Sequence, residues 1–300
     1  MNMYSDKELE RIKRAGKIAA VAREHGASLI KIGASLLKVT EEVEKKIKSL
    51  GGEFAFPPQI SLNDVAAHYC AEPDDKTVFK KGDLCKLDVG VHIDGFIGDT
   101  AVTIDLGDNK KLTEASQKAV EKAISILKPG ISLGEIGKTI QQTIQEYGFS
   151  PVKNLSGHGL EKYEFHGKPS IPNIDTKDPT VLKKGQVIAI EPFATPGHGK
   201  IYESGNANIF SQINKKPVRN RITRKILKEI VTYNRLPFTT RWLIKKFNAF
   251  KVRFALRELL NKNIITSYPP LPEKTHAMVS QAEHTIIIDD PVIVTTKIKI

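Results

Sequence analysis

The stretch that most constrains this chain is Lys86 to Thr103, KLDVGVHIDGFIGDTAVT, in which two apolar, β-branched runs flank an Asp94-Gly95 pair. Asp-Gly between two such runs signals a two-residue hairpin turn, because both turn residues take positive φ. The spacing therefore predicts a β-hairpin with Asp88 in its first arm and Asp99 in its second. Aspartate is a poor strand former and is costly to bury. The turn explains Asp94 and leaves Asp88 and Asp99 unexplained. Pairing of the arms would bring both carboxylates to one place, where a cation could sit between them.

The flanking patterns are helical. Apolar residues at Leu9, Ile12, Ile18, Ala19 and Val21 predict a helix from Asp6 to about Ala27. A second is expected from about Ser35 to Leu50, closed by Gly51-Gly52. The stretch FAFPPQISLNDVAAHYC reads as strand-like and ends in an apolar run holding His68. Beyond the hairpin, Leu112 to Leu127 and Leu133 to Tyr147 are helical around a Pro129-Gly130 break.

The chain also repeats itself. KIGASLLKVTEEVEKKIKSLGG from Lys31 is similar to KPGISLGEIGKTIQQTIQEYGF from Lys128, pairing Gly33 with Gly130, Ser35 with Ser132 and Leu36 with Leu133. VFKKGDLCKLD from Val78 aligns with VLKKGQVIAIE from Val181, pairing Asp88 with Glu191. A helix-helix-turn-strand unit thus occurs twice, each copy finishing at a carboxylate. Two such halves packed face to face would bring Asp88 and Glu191 into a shared central cleft. Other candidate ligands follow. GHGLEKYEFH holds His158 in a loop between two glycines, which admit close approach of an ion or ligand, and His166 lies eight positions later. SQAEHTIIIDD places Glu283 just before an apolar strand, where a carboxylate is again costly.

The set Asp88, Asp99, His158, Glu191 and Glu283, in the local sequences DVG, DTA, HGL, EPF and EHT, resembles the metal-binding pattern of the methionine aminopeptidases over nearly the whole chain. NDVAAH around His68, SGHGLEKYEFH and ESGNANIF are similar to stretches of the type 2 branch. A basic segment lies between Glu191 and Glu283, and the start near Tyr4 resembles the short archaeal form. The resemblance implies an α+β pita-bread fold with a pseudo-twofold repeat and a curved antiparallel sheet. It implies two divalent cations per chain (Co, Mn, Fe or Zn), with Asp88 on one, His158 and Glu191 on the other, and Asp99 and Glu283 bridging. Glu191 would take a water's proton, while His68 and His166 would orient the substrate and, as hydrogen-bond donors, stabilise developing charge. The substrate implied is the N-terminal initiator methionine of nascent polypeptides with a small second residue, and Phe56, Pro57, Phe165 and His68 are candidate pocket walls. The residue types agree independently: four carboxylates and one imidazole suit hard or borderline divalent ions, and the thiolates of structural zinc sites are missing.

At 300 residues, 40% apolar and 27% charged, the composition is that of an ordinary globular chain. No apolar run approaches the roughly 20 residues of a membrane helix. The charged start without an apolar signal region points to the cytoplasm, and Cys70 and Cys85 read as reduced packing residues. The net charge of +12 is uneven: Ser211 to Lys274 holds 16 Lys and Arg against Glu229, Glu258 and Glu273, so the rest is nearly neutral. We expect a discontinuous catalytic domain, 1–210 and 275–300, and a basic inserted subdomain, 211–274. Helices over Arg219 to Tyr233, Thr240 to Phe247 and Phe250 to Leu260, then a strand over Ile264 to Ser267, suggest a winged-helix-like unit. Its charge suits ribosomal RNA near an emerging chain, the plain alternative being a solvated basic surface. A monomer is expected. One rival is an Xaa-Pro peptidase of the same fold, which would usually carry a further N-terminal domain, whereas the first helix here starts at about residue 6. The other is a catalytically inactive relative that binds RNA or the ribosome; it would lose ligands, whereas all five positions are filled.

Overall fold

The computed structural model describes residues 3–298; Met1, Asn2, Lys299 and Ile300, which fall within the expected catalytic domain, lie outside the described residues. The hairpin forms where Asp94-Gly95 places it, between strands Leu84–Ile93 and Phe96–Asp105, with φ of +51° at Asp94 and +89° at Gly95. Its register pairs Gly90 with Asp99 and Asp88 with Ala101. Both carboxylates therefore lie on one face, two residues apart along the ladder. The opposite face, with Leu87, Val89 and Val91, packs under the first two helices. Gly90 sits directly over Phe56, whose ring lies 2.1 Å from where a Cβ would be, so no larger residue fits beside the two aspartates.

Helix α1 (Asp6–Leu29) opens on a Ser5/Glu8 capping box, and α2 (Leu36–Ser49) on Ser35, which accepts from the Lys38 N–H. Helices α3 (Lys110–Ile126) and α4 (Leu133–Glu146) follow the hairpin, α4 with its own Ser132/Glu135 capping box. The repeat is visible in the hydrogen bonds. Gly33 and Gly130 donate to the carbonyls of Phe79 and Leu182, both at 2.8 Å; Leu36 and Leu133 donate to those of Thr77 and Thr180 at 3.0 and 2.9 Å. One unit leads into strand Leu84–Ile93, which carries Asp88, and the other into Val187–Ile190, which ends at Glu191. Ile136, Ile140, Ile188 and Ile190 form the second unit's core, as Val43, Leu87 and Val89 do in the first.

The hairpin lies in a four-stranded antiparallel sheet with Glu53–Phe54 and Gln59–Leu62. A five-stranded antiparallel sheet runs Ile293–Val294, His284–Ile287, Val187–Ile190, Ser156–Glu161, Glu164–Pro172. The two sheets are pinned at Thr285, whose hydroxyl accepts from the Asp99 N–H at 2.7 Å and donates to the Asp99 carbonyl at 2.8 Å. Two local expectations are corrected. His158 lies in strand Ser156–Glu161 and not in a loop: without a side chain, Gly157 can press against the Ala189 carbonyl, 2.2 Å from where its Cβ would be. His68 lies in irregular chain beyond the Asn63-Asp64 turn that ends strand Gln59–Leu62, at φ +69°, and not in a strand.

The basic segment builds a three-stranded sheet from Phe238–Thr239, Ile209–Gln212 and Ile265–Tyr268. It packs under α5 (Arg221–Val231), α6 (Thr240–Ile244) and α7 (Ala249–Asn261), around Ile226, Ile230, Phe238, Val252 and Leu259. The middle helix is shorter than its periodicity predicts, because Asn248 caps α7 by accepting from the N–H groups of Phe250 and Lys251. Arg241 and Trp242 of α6 fasten this unit to α2: the guanidinium pairs with the buried Glu44 carboxylate at 2.8 and 2.6 Å, and the indole N–H donates to it at 2.6 Å. Removing one partner of such a pair strands a buried charge, at a cost of about 3–5 kcal/mol. Cys70 and Cys85 are buried free thiols. Among the described residues, no helix is long and apolar enough to cross a membrane.

Candidate metal centre

The hairpin, the strand ending at Ile190, the strand starting at His284 and strand Ser156–Glu161 converge on a cavity of about 330 Å³. Asp88, Asp99, His158, Glu191 and Glu283 all line it, with Gln59, Ala67, His68, Phe165, His166 and Phe193. Asp99, His158 and Glu283 each offer one ligand atom within 4.8 Å of the others. The His158 Nε2 lies 3.9 Å from Asp99 Oδ2 and 3.7 Å from Glu191 Oε1. Its Nδ1 faces the Gly159 carbonyl at 3.3 Å, so the ring proton belongs there and the Nε2 lone pair is turned to the carboxylates.

The electrostatics are severe. Among the described residues, no lysine or arginine lines the cavity. Burial holds Asp88 up at about 7, and Asp88 still keeps some contact with the cavity solvent. Burial, then the Asp88 charge, holds Asp99 well above the usual carboxylate range. Burial, then Asp88 and Asp99, does the same to Glu191; for Glu283 it is burial, then Asp99, Asp88 and Glu191. Asp88 Oδ1 and Asp99 Oδ1 are buried without a hydrogen-bond partner. Four carboxylates, two orphaned oxygens and an inward imidazole nitrogen form a donor set that fits divalent cations.

The histidines stay neutral. Burial draws His68 and His158 down to about 4. His166, exposed at the cavity rim, is lowered as well, by partial loss of hydration and by the neighbouring His158 and His68. His68 places Nδ1 3.3 Å from the Pro269 carbonyl, so its proton sits there and Nε2 is an acceptor. Phe56, expected as a pocket wall, does not line the cavity: it is buried behind Phe165, with ring centres 5.1 Å apart. Sequence reasoning missed Phe193, which lines the cavity from the EPF motif, and two glutamines. Gln59 pairs across from Asp88 and accepts the His68 N–H at 2.8 Å. Gln281 favours the charged forms of Asp88 and Glu191, though its Nε2 makes no close hydrogen bond. Their one signal was a polar residue in a strand otherwise closed to water.

Residues 10–228 match the model of metallopeptidase family M24. The chain belongs to family M24. Within that family it is 45% identical to a methionine aminopeptidase of Archaeoglobus fulgidus, over 95% of this chain and 97% of that one. It is also 45% identical to one of Pyrococcus horikoshii, over 97% and 100%. The solved methionine aminopeptidase of Thermotoga maritima superposes with a TM-score of 0.73 at 25% identity, over 99% of this chain and all of that one. These end-to-end matches place this M24 chain among the methionine aminopeptidases, with the expected pita-bread fold. Membership of a metallopeptidase family implies use of a divalent metal.

The raised carboxylates set a test. Because burial disfavours their charged forms, they destabilise the metal-free native state progressively as pH rises from about 4, where the unfolded carboxylates ionise, through about 7; well below that range folded and unfolded chains are both protonated and the effect vanishes. In metal-stripped protein, Asp99→Asn should therefore raise the unfolding midpoint at pH 8 by several degrees, the gap closing toward pH 4. Thermal unfolding across that range checks this; a variant less stable than the parent at pH 8 would contradict it.

Proposed function

We infer that this chain removes the N-terminal methionine from nascent polypeptides with a small second residue, by hydrolysis supported by two divalent cations of the Co, Mn, Fe or Zn group. The single observation that carries the chemistry is the meeting of Asp88, Asp99, Glu191 and Glu283 with His158 in one cavity that, among the described residues, no lysine or arginine lines. Asp88, Asp99, His158, Glu191 and Glu283 would hold the cations. Once bound, the cations would compensate the carboxylates, polarise the scissile carbonyl and acidify a water. The chain's own groups do the rest. Glu191 takes the attacking water's proton and returns it to the leaving amine. His166, neutral and with no acceptor of its own among the described residues, donates to the carbonyl oxygen as charge develops there. His68 differs from the donor role its sequence suggests: with its proton on Nδ1, Nε2 accepts from the substrate's peptide N–H. The cavity is small, and Phe165, Phe193 and Ala67 give it apolar wall, which suits one thioether side chain. The reading places the activity in the cytoplasm, with the protein acting as a monomer.

The basic unit is the proposed point of contact with ribosomal RNA, and residues 211–274 its proposed extent. Phe250, Arg253, Phe254 and Arg257 recur at helical spacing on α7 and are all exposed, an aromatic and cationic stripe suited to phosphate and base stacking.

Two measurements follow. Metal-loaded protein should release methionine from a Met-Ala-Ser peptide and far less from a Met-Leu peptide, and Glu191→Ala should slow release by about 10²–10⁴-fold; no release with any of the four metals would contradict the assignment. Association with ribosomes should weaken steeply with salt and be lost in an Arg253→Glu, Arg257→Glu variant; binding insensitive to salt and to the variant would remove the RNA contact.

A further inference from the structure

Lys86 lies on strand Leu84–Ile93 two residues before Asp88 and shares its face of the sheet. Only 1% of its surface is exposed, which is rare for a lysine. Its Nζ donates to the Asn63 carbonyl at 2.7 Å and more weakly to that of Leu84 at 3.4 Å. The Asn63 carbonyl also accepts from the Val279 N–H at 3.0 Å. Asn63 itself, at φ +53°, donates its N–H to the Leu84 carbonyl at 2.8 Å and accepts from the Leu84 N–H on Oδ1 at 3.0 Å. One carbonyl thus joins three segments: the strand carrying Asp88, the turn leading to His68, and the run leading to Glu283. Thr103, opposite Lys86 in the hairpin, repeats the tie, its hydroxyl donating to the Gln281 carbonyl at 2.6 Å and accepting from the Gln281 N–H at 2.8 Å.

We propose that Lys86 is a positioning residue for the hydrolysis, its Nζ serving as a built-in strut that holds the Asn63 turn, and with it His68, in register with Asp88 and Glu283. Methionine would fill the same volume with less desolvation cost; what it cannot do is donate to the Asn63 and Leu84 carbonyls. The activity arm of the test rests on the aminopeptidase reading and the stability arm does not.

The test compares Lys86→Met and Lys86→Ala with the parent, with and without propylammonium, which matches the atoms removed in the alanine variant. Both variants should lose on the order of 10–100-fold in kcat/KM for methionine release, chiefly in kcat, because His68 is displaced and not removed. Propylammonium should restore Lys86→Ala several-fold and leave Lys86→Met unchanged. In metal-stripped protein it should also raise the unfolding midpoint of Lys86→Ala above its effect on the parent and on Lys86→Met. Parent-like kcat/KM in Lys86→Met, or no selective rescue of Lys86→Ala in either readout, would overturn the strut. If the parent releases no methionine, that failure belongs to the aminopeptidase reading, and the midpoint comparison alone decides on Lys86.

Discussion

Everything in this molecule answers to one electrostatic problem, four carboxylates gathered in a cavity that, among the described residues, no lysine or arginine lines. Buried carboxylates repel one another and lose hydration, and the pairing that would offset both is not supplied by protein. All four are held above their ordinary range in consequence. A fold that keeps such a cluster must be rigid enough to resist its repulsion. The duplicated unit provides this by bringing each half's strand to the cavity from its own apolar core. The two sheets are then locked to each other by the paired hydrogen bonds between Asp99 and Thr285.

Much of this was legible in the sequence, for identifiable reasons. The Asp94-Gly95 turn fixed the register of the hairpin, and register alone put Asp88 and Asp99 on one face. The paired glycines of the repeat were visible because both occupy the same positive-φ turn, at +85° for Gly33 and +90° for Gly130, before the same carbonyl contact. Family M24 confirms the fold that these features implied.

What escaped reading depended on tertiary context. Glycines around His158 suggested a loop because glycine is a poor strand former, but Gly157 is needed where the Ala189 carbonyl leaves no room for a Cβ. Nothing in a Phe-Pro pair tells whether the ring faces a cavity or backs its wall, and Phe56 backs it. Gln59 and Gln281 carry no periodicity, so only the structure shows them beside His68 and the carboxylates. Lys86 shares the parity of Asp88 along the strand, yet lysine on an inward face looks like an edge residue until its acceptor, the Asn63 carbonyl, is seen.

The central claim is that cations complete this cluster by replacing protons. Calorimetric titration of Mn²⁺ into metal-stripped protein at pH 7, in two buffers of different ionisation enthalpy, tests it most directly. We predict tight binding with net release of more than one proton per chain, since carboxylates held above their ordinary range must ionise to bind metal. Binding whose heat does not depend on the buffer, or no binding, would contradict the account.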